Sequence, residues 1–465
     1  MFIGRQKELS VLENAYKGKQ SALIPIYGRR RVGKSELILK FMGHKAGIYY
    51  LGKVAPAALQ IREFLQVAAR ALDEPLLSSQ TANSWSEVFA AVANKCKSRM
   101  KFVIVLDEFQ WMAGASPELP SVIQEYWDRS WKDSGNMVFI LCGSYIGFME
   151  REVLGRKSPL FGRRTAQILL RPFSYLEAAE FHPRWSLLNR ALVYFICGGI
   201  PLYLRFFNQA HSIERNIEEK LLDEFGPLFR EPDFLLREEL RDVENYYAVL
   251  TAVAAGYANN QAIASQTGIP ERSLHYYLQQ LNSIGYIGRR RPLTGKKPNP
   301  RQVRYVLQDP LLRFWFRFVF PNLSFIQQMG PRRAYHERIR PELDTYFGLC
   351  FERFCRQALP VIYEREGVGA AFEVGEYWDK EVQIDVVGLR DDHWTDLGEC
   401  KWGAVKSYKR LLEDMERKIR AYPNTRGATI CKRVFLRKKP GVKVQGSSDV
   451  LWYGLEDLYR RHGTG

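Results

Sequence analysis

The chain has 465 residues, more than one hydrophobic core of about 250 to 300 residues accommodates, so a lone small binding module is excluded and two to four domains are expected. Hydrophobic residues make up 46% and charged residues 26% of the sequence, which excludes extended disorder. With 68 Lys and Arg against 51 Asp and Glu, the net charge of +17 indicates a polyanionic partner.

The pattern of cysteines and of apolar segments indicates the cellular compartment of the protein. The seven cysteines form no Cys-x-x-Cys pair, which favours reduced, packed thiols over a disulfide frame. The N-terminus shows no apolar segment typical of a secretory signal, and the longest apolar stretches are about a third of the roughly 20 residues that a membrane helix needs. We therefore expect a cytoplasmic protein with no membrane partner.

The first 170 residues alternate short apolar segments with amphipathic helical patterns, which predicts a parallel sheet wrapped by helices. The expected strands are 22–27, 47–51, 102–106, 137–142 and 165–170. Residues 171–235 have a helical pattern interrupted by the turn at 198–201, and they predict a helical lid on this first domain.

A phosphate-binding loop follows the first expected strand and precedes a helical pattern. The motif GxxxxGK[ST] is matched by Gly28, Arg29, Arg30, Arg31, Val32, Gly33, Lys34 and Ser35. In such a loop the glycines let backbone amides wrap the phosphates, the lysine reaches the terminal phosphates, and the hydroxyl contributes to a magnesium site. The sequence therefore predicts a nucleotide site.

The expected strand 102–106 is followed by Asp107 and Glu108. We expect Asp107 to hold magnesium through water and Glu108 to orient or deprotonate the attacking water. The alternative is an acidic strand end that caps the next helix. Two further features follow the same sheet edge. Ser144, after the next expected strand, would sense the terminal phosphate; the alternative is that it is a small residue in a turn. Arg163 and Arg164 would stabilise the transferred phosphoryl group, either within one chain or across a homo-oligomer. The alternative is that both arginines are simply exposed to solvent.

Five segments of the N-terminal half resemble the archaeal-type ATPases of the AAA-related, STAND-like branch of P-loop proteins. They are FIGRQKEL at 2–9, YGRRRVGKS at 27–35, LDEFQW at 106–111, SPLFGRR at 158–164 and GGIP at 198–201. The resemblance covers about the first 235 residues. It implies ATP as the nucleotide, since no NKxD-like base-reading motif is present, and it implies a role for Arg5 beside the nucleotide.

Residues 236–325 predict a winged helix-turn-helix, because three short helical patterns at 243–255, 260–267 and 271–284 precede two strand patterns at 285–291 and 301–307. Residues 288–304 contain seven basic and no acidic residues. On a wing they would straddle a phosphate backbone, with a recognition helix beside them. The candidate nucleic-acid contacts are Arg272, Arg289, Arg290, Arg291, Lys296 and Lys297. The alternative is an inter-domain packing module with a solvated basic face.

Residues 326–465 predict a further α/β domain in which neighbouring strands carry Asp385, Glu399 and Lys401. Glu399 and Lys401 are two positions apart, so they share one strand face. Two carboxylates form a site for a hard cation such as Mg²⁺, and a lysine beside them can stabilise or help deprotonate a water. This is the chemistry of phosphodiester hydrolysis.

The Ile-Asp and Glu-x-Lys elements, preceded by FGLCFE at 347–352, resemble the PD-(D/E)XK restriction-endonuclease-like fold. The whole architecture is similar to archaeal and bacterial ATPases that carry a C-terminal domain of uncharacterised function assigned to that fold. The resemblance implies that Glu352 is the accessory helix carboxylate and that the core positions are Asp385, Glu399 and Lys401. Gln383 stands where relatives often have Glu.

These patterns together predict an ATP-binding and ATP-hydrolysing protein that interacts with DNA, uses ATP and Mg²⁺, and contains an ATP-regulated, metal-dependent endonuclease for DNA processing or defence. One alternative is a nucleotide-switched DNA-binding regulator or scaffold whose nuclease-like domain does not cleave. In another, the lid and winged segments contact protein and no nucleic acid. The sequence leaves open DNA versus RNA, the oligomeric state and the pathway.

Overall fold

The computed structural model describes residues 2–96, 101–296, 302–441 and 448–461. The chain divides into two compact units, Met1–Phe173 with Ile200–Leu202 and Ser174–Gly199 with Tyr203–Gly465. Most of residues 171–235, the segment expected to form a lid, groups with the second unit.

The first unit contains a five-stranded, all-parallel sheet with the order β2-β3-β4-β1-β5. Its strands are β1 (Ala22–Tyr27), β2 (Gly47–Leu51), β3 (Phe102–Asp107), β4 (Met137–Gly143) and β5 (Ile168–Leu169). Every residue of β1, β3 and β4 is buried, as expected for inner strands of a parallel sheet covered on both faces. The prediction of a parallel α/β domain is confirmed, although β5 is shorter than the segment expected at 165–170.

Helices of the first unit connect these strands. They are α1 (Gln6–Lys17), α2 (Lys34–Met42), α3 (Ala57–Leu72), α4 (Leu76–Ser79), α5 (Trp85–Cys96), α6 (Phe109–Ala115), α7 (Leu119–Tyr126) and α8 (Ile146–Phe148). Short π-helical segments follow α7 and α8. Phe64, Trp85 and Phe89 are buried together in the core between the sheet and α3 and α5. Because all strands are parallel, the segments after β1, β3 and β4 meet at one edge of the sheet.

The second unit begins with short helices. They are α9 (Tyr175–Ala178), α10 (Leu187–Cys197), α11 (Pro201–Phe206), whose first residues belong to the first unit, α12 (Ile213–Ile217) and α13 (Glu231–Glu239). Next come α14 (Glu244–Ala254), α15 (Asn260–Thr267) and α16 (Glu271–Ser283), and then the antiparallel pair β6 (Ile287–Arg290) and β7 (Arg304–Leu307). The three helices and the hairpin thus follow in the expected order. The described residues do not include Lys297 and Arg301 of the basic segment.

The remaining chain forms a second, mixed sheet. Helices α17 (Pro310–Phe314), α18 (Leu323–Met329), α19 (Pro331–Ala334) and α20 (Arg340–Arg365) lead into β8 (Phe372–Trp378), β9 (Gln383–Arg390), β10 (Trp394–Lys401), α21 (Tyr408–Ala421), β11 (Thr429–Leu436), β12 (Val450–Tyr453) and α22 (Leu455–Tyr459). The strand order is β12-β11-β10-β9-β8, with β8, β9 and β10 antiparallel and β10, β11 and β12 parallel. The sequence did not predict β11 and β12.

A buried ion-pair network supports this mixed sheet. Arg433 on β11 is 1% exposed, and its guanidinium donates to Asp396 Oδ1 at 2.5 Å and to both carboxylate oxygens of Glu366 at 3.0 and 2.8 Å. Tyr363 donates to the second Asp396 oxygen at 2.5 Å, and Tyr453 donates to Glu366 at 2.6 Å. The buried cation is therefore balanced by two carboxylates, which is the arrangement that makes burial of charge tolerable.

No helix in the described part of the chain has both the length and the apolar character needed to cross a membrane.

Candidate functional site

The phosphate loop lies between β1 and α2, and its backbone conformation requires glycine. Gly33 has a φ of 91°, in the left-handed region that glycine adopts without strain. A Cβ atom on Gly28 would lie 2.3 Å from the carbonyl oxygen of Leu170, so only glycine permits this close approach. Helix α2 begins directly after the loop, and its first amides have no partner within the helix. The loop therefore fits the cradle that phosphate groups occupy in P-loop proteins.

The ammonium group of Lys34 is held on the loop itself. Lys34 is buried, and its Nζ atom donates to the carbonyl oxygens of Gly28 and Arg29, both at 3.0 Å. Burial lowers the pKa of Lys34 from its ordinary value. An ammonium group that donates to neutral carbonyl oxygens gains electrostatic energy when phosphate oxygens replace them.

The magnesium ligands expected from the sequence lie together at the ends of β3 and α2. Ser35 Oγ donates to Asp107 Oδ2 at 2.6 Å, and the amide of Glu108 donates to Asp107 Oδ1 at 2.9 Å. Tyr49, at the middle of β2, also donates to Asp107 Oδ2, at 2.5 Å. Tyr49 was not predicted from the sequence, where its only signal is its place in an expected strand. A hydroxyl and a buried carboxylate are donors that suit Mg²⁺.

Glu108 occupies a strained position beside the end of β4. Its φ of 52° lies in the left-handed region, which is rare for a residue with a side chain. Ser144 Oγ donates to Glu108 Oε2 at 2.5 Å, and Gln110 donates both to Ser144 Oγ, at 3.1 Å, and to Glu108 Oε2. Two side chains therefore orient the Glu108 carboxylate. The sequence predicted Ser144 near this site but missed Gln110.

Arg5 contacts the backbone of the phosphate loop. Its Nη2 atom donates to the carbonyl oxygens of Val32 at 3.1 Å and Arg171 at 2.7 Å, and its guanidinium lies 4.0 Å from the ring centre of Phe173. Arg5 is itself left-handed, with a φ of 63°. The side chain joins the N-terminal segment, the loop and the chain after β5, which is a physical basis for the role that the resemblance implied.

The arginines expected at the phosphoryl group have other partners. Arg163 donates to Asp128 through two nitrogens, with Nη2 2.7 Å from Oδ2, and to the carbonyl oxygen of Pro159 at 2.8 Å. Arg164 donates weakly to the carbonyl oxygen of Leu154, at 3.4 Å. The hydrogen bonds that the structure describes for these two residues all lie outside the phosphate loop. Arg29, Arg30 and Arg31 are half-buried.

The second candidate site is a carboxylate centre on β9 and β10. Asp385 and Glu399 are 6% and 2% exposed, and the amide of Cys400 donates to Asp385 Oδ2 at 2.9 Å. Lys401 Nζ lies 2.7 Å from Glu399 Oε1, and Lys418 Nζ on α21 lies 2.7 Å from Glu399 Oε2. The structure thus brings together the expected triad and adds Lys418, which the sequence analysis missed because it lies 19 residues away on a helix.

Glu352 on α20 is a third carboxyl group that interacts electrostatically with this centre. Burial, with repulsion from Asp385, raises the pKa of Glu352 to about 8. Burial, with repulsion from Glu399, raises the pKa of Asp385 to about 6. Carboxyl groups with raised pKa values are typical of functional sites, where a cation or a proton supplies the missing positive charge.

The expected nucleic-acid residues are only partly available. Arg272, Arg289, Arg291 and Lys296 are exposed, whereas Arg290 forms an ion pair with Glu376 at 2.8 Å. The chain after β6 is held against β8, since the Leu293 amide donates to the Glu376 carbonyl oxygen at 2.9 Å and Tyr422 donates to the Leu293 carbonyl oxygen at 3.0 Å. The basic segment is therefore attached to the mixed sheet on this side. Lys297 lies outside the described residues.

A phosphate loop, the Ser35 hydroxyl beside the Asp107 carboxylate, and an oriented glutamate lie at one edge of a parallel sheet. This arrangement is that of a P-loop ATPase domain. In agreement with this assignment, residues 2–207 match the family model described as an ATPase domain predominantly from Archaea. Residues 315–419 match the model described as archaeal and bacterial proteins of unknown function. The prediction of an ATPase followed by a C-terminal domain of uncharacterised function is confirmed at this level.

Individual proteins are similar to this chain over different lengths. An uncharacterized protein of Methanocaldococcus jannaschii is 28% identical over 462 residues, which cover 98% of this chain and 100% of the relative. An uncharacterized ATP-binding protein of the same organism is 49% identical over 45 residues, 10% of this chain and 76% of the relative. The Walker-type ATPase of Pyrococcus abyssi has a similar structure, with a TM-score of 0.51 and 21% identity over 68% of this chain and 96% of that chain.

Proposed function

We propose that the protein is an ATP-hydrolysing, DNA-interacting enzyme whose C-terminal domain is a metal-dependent nuclease controlled by the bound nucleotide. The observation that carries the nuclease assignment is the carboxylate centre. Asp385 and Glu399 are almost completely buried side by side, with the carboxyl group of Glu352 near them. Burying carboxylates together costs stability, so a bound cation is the simplest reason for such a centre.

The nucleotide half of the proposal uses the residues at the sheet edge. Lys34 would exchange the carbonyl oxygens of its own loop for phosphate oxygens. Ser35 and Asp107 would hold magnesium, which when bound neutralises phosphate charge during transfer. Glu108, oriented by Ser144, would accept the proton of the attacking water.

The nuclease half uses Asp385 and Glu399 as ligands for a divalent cation. When bound, such a cation activates water and stabilises the charge that develops on a phosphodiester. Lys401 lies 2.7 Å from Glu399 and would place an ammonium group beside the reacting phosphate. The mixed sheet and the helix carrying Glu352 are consistent with the restriction-endonuclease-like fold that the sequence motif resembles.

The DNA-binding part of the proposal rests on charge. The excess of 17 positive charges and the exposed side chains of Arg272, Arg289 and Arg291 would attract a polyanion. The helices α14 to α16 and the hairpin β6–β7 have the element order of a winged helix-turn-helix, which supports duplex DNA as the ligand.

A second candidate is a nucleotide-switched regulator whose C-terminal domain binds nucleic acid without cleaving it. The observation that favours it is the pairing of Glu399, because each of its carboxylate oxygens lies 2.7 Å from an ammonium group, on Lys401 or Lys418. A carboxylate neutralised in this way is a weaker metal ligand. Cation binding would require at least one lysine to move.

A plasmid-nicking assay on the full chain distinguishes the two candidates. We expect the wild-type protein to nick supercoiled DNA in Mg²⁺ or Mn²⁺, Asp385→Asn to abolish nicking, and Asp391→Asn, a change of an exposed carboxylate, to leave it intact. Lys34→Ala should abolish ATP hydrolysis and change the ATP dependence of nicking. Slow ATP turnover with salt-sensitive DNA binding and no cleavage under any condition would support the regulator, and equal nicking by Asp385→Asn would disprove the assigned centre.

A further inference from the structure

A cavity of about 890 Å³ lies within the second unit, between α17, α20, β8 and the chain that follows β6. Six arginines line it, together with one lysine, and only two glutamates do so. The arginines are Arg289, Arg290, Arg291, Arg313, Arg353 and Arg356. Neither the phosphate loop nor the carboxylates Asp385 and Glu399 belong to its lining. The cavity is therefore a strongly basic compartment separate from both sites described above.

One glutamate neutralises two of these arginines. Glu376 Oε1 lies 2.8 Å from Arg290 and Oε2 lies 3.2 Å from Arg356, and the side chains of Glu376 and Arg356 are each 10% exposed. Burial favours the neutral acid, but Arg356 and Arg290 outweigh it and hold the pKa of Glu376 below its usual value. Both oxygens of this carboxylate are thus engaged by Arg290 and Arg356.

Arg353 and Arg313 contact only neutral groups in the described part of the chain. Arg353 Nη1 donates to the carbonyl oxygen of Leu307 at 2.5 Å. Arg313 makes long contacts with the Tyr346 hydroxyl, at 3.4 Å, and with the Phe195 carbonyl oxygen, at 3.5 Å. Burial, with repulsion from Arg313, lowers the pKa of Arg353 well below its ordinary value. Each guanidinium has five donors, so both retain donors for an anion.

We propose that this cavity binds a phosphate-bearing ligand of nucleotide size, held by Arg353, Arg313 and Arg291. Guanidinium groups match the geometry of phosphate oxygens and bind them through paired hydrogen bonds. A volume of about 890 Å³ lies within the range of small-molecule sites, which is roughly 300 to 1,000 Å³. An anion would also supply the charge that the lining lacks. The chemistry required is a terminal or bridging phosphate ester, from a free nucleotide or from the end of a nucleic-acid strand.

The site has a direct connection to the carboxylate centre. Arg356, which lines the cavity, donates to the backbone carbonyl oxygen of Asp385 and pairs with Glu376. An anion near Arg356 would compete with Glu376 for its guanidinium and thereby affect the backbone at Asp385. This consequence rests on the proposed nuclease function, whereas binding of the anion does not.

The test is a binding measurement on the full chain carrying Lys34→Ala, in EDTA, so that neither the phosphate loop nor cleavage contributes. The probes are tripolyphosphate, ATP, and a twelve-nucleotide single strand with either a 5′-phosphate or a 5′-hydroxyl, titrated by calorimetry. We expect Arg353→Gln and Arg291→Gln each to weaken tripolyphosphate binding by about tenfold or more. Lys409→Gln, which removes one exposed charge from α21, should not change it.

Two comparisons identify the source of the phosphate. ATP binding as tightly as tripolyphosphate, with no advantage for the 5′-phosphate strand, would indicate a free nucleotide. A strand bound about tenfold more tightly with a 5′-phosphate than with a 5′-hydroxyl would indicate a nucleic-acid end. Arg291 is exposed, so the binding affinities of Arg291→Gln test the proposal even if Arg353→Gln does not fold. Affinities for all probes that do not change in Arg291→Gln and in any folded Arg353→Gln protein would overturn the proposal, even if DNA is cleaved.

Discussion

Replacing Asp385 by Asn should stabilise the protein at alkaline pH while removing the proposed nuclease activity. Asp385 is 6% exposed, and its carboxylate lies close to the carboxyl groups of Glu399 and Glu352. An asparagine has no charge at any pH, and its side-chain oxygen can still accept the hydrogen bond from the Cys400 amide. The substitution therefore removes repulsion without removing this contact.

The magnitude follows from the pKa of Asp385, which burial and repulsion from Glu399 raise from 3.8 to about 6. One pKa unit corresponds to about 1.4 kcal/mol, so ionised Asp385 costs roughly 3 kcal/mol at pH 8. Because the folded pKa lies above the unfolded pKa, the contribution to stability is fully present below pH 4 and is lost as pH rises through about 6. The free energy of unfolding of Asp385→Asn relative to wild type should therefore increase by about 2 kcal/mol between pH 4.5 and pH 8.

Urea denaturation in EDTA at several pH values measures this difference, and Asp391→Asn is the matched control because that carboxylate is 73% exposed. Manganese should then stabilise wild type at pH 8 and have much less effect on Asp385→Asn, since a ligand that binds only the folded state raises its stability. A difference between variant and wild type that stays constant with pH, or that decreases as pH rises, would refute the assigned repulsion.

Two other substitutions test contacts that only the structure shows. Tyr49→Phe removes a hydroxyl that donates to Asp107, so the Mg²⁺ concentration needed for half-maximal ATP hydrolysis should rise about tenfold; an unchanged Mg²⁺ dependence would contradict a role for Tyr49 in orienting Asp107. Arg433→Met removes the nearer of the two cations that pair with the buried Asp396 carboxylate and leaves only Arg390, at 3.9 Å, so the free energy of unfolding should fall by about 3 kcal/mol. Urea denaturation checks this value, and a loss below about 1 kcal/mol would show that Asp396 finds another partner.

The nucleotide site was largely predictable because its chemistry is local in sequence. Eight consecutive residues supply the phosphate loop, and the apolar segment ending at Asp107 predicts a buried strand whose carboxylate faces the same sheet edge. Tyr49 and Gln110 were not predictable, because a tyrosine in a strand and a glutamine in a helix have many ordinary roles. Their importance appears only when β2, β3 and β4 are aligned.

The basic segment shows how a local pattern can be ambiguous. Its seven positive charges predicted a solvent-facing surface for nucleic acid, yet Arg290 pairs with Glu376, which lies 86 residues later. Charge density along the chain does not indicate which side chains will meet a carboxylate after folding. Arg289 and Arg291 remain exposed and are still candidates for contact with a polyanion.

The sequence by itself determined the elements and motifs that depend on near neighbours: the parallel ATPase sheet, the phosphate loop, and the pairing of Glu399 with Lys401 on one strand face. Only the tertiary structure decided the environments that depend on distant residues, such as Lys418 beside Glu399 and the arginine cavity formed from separate elements. The physical reason is that period and spacing define local geometry, whereas burial and charge compensation arise between segments that pack together only in the folded chain.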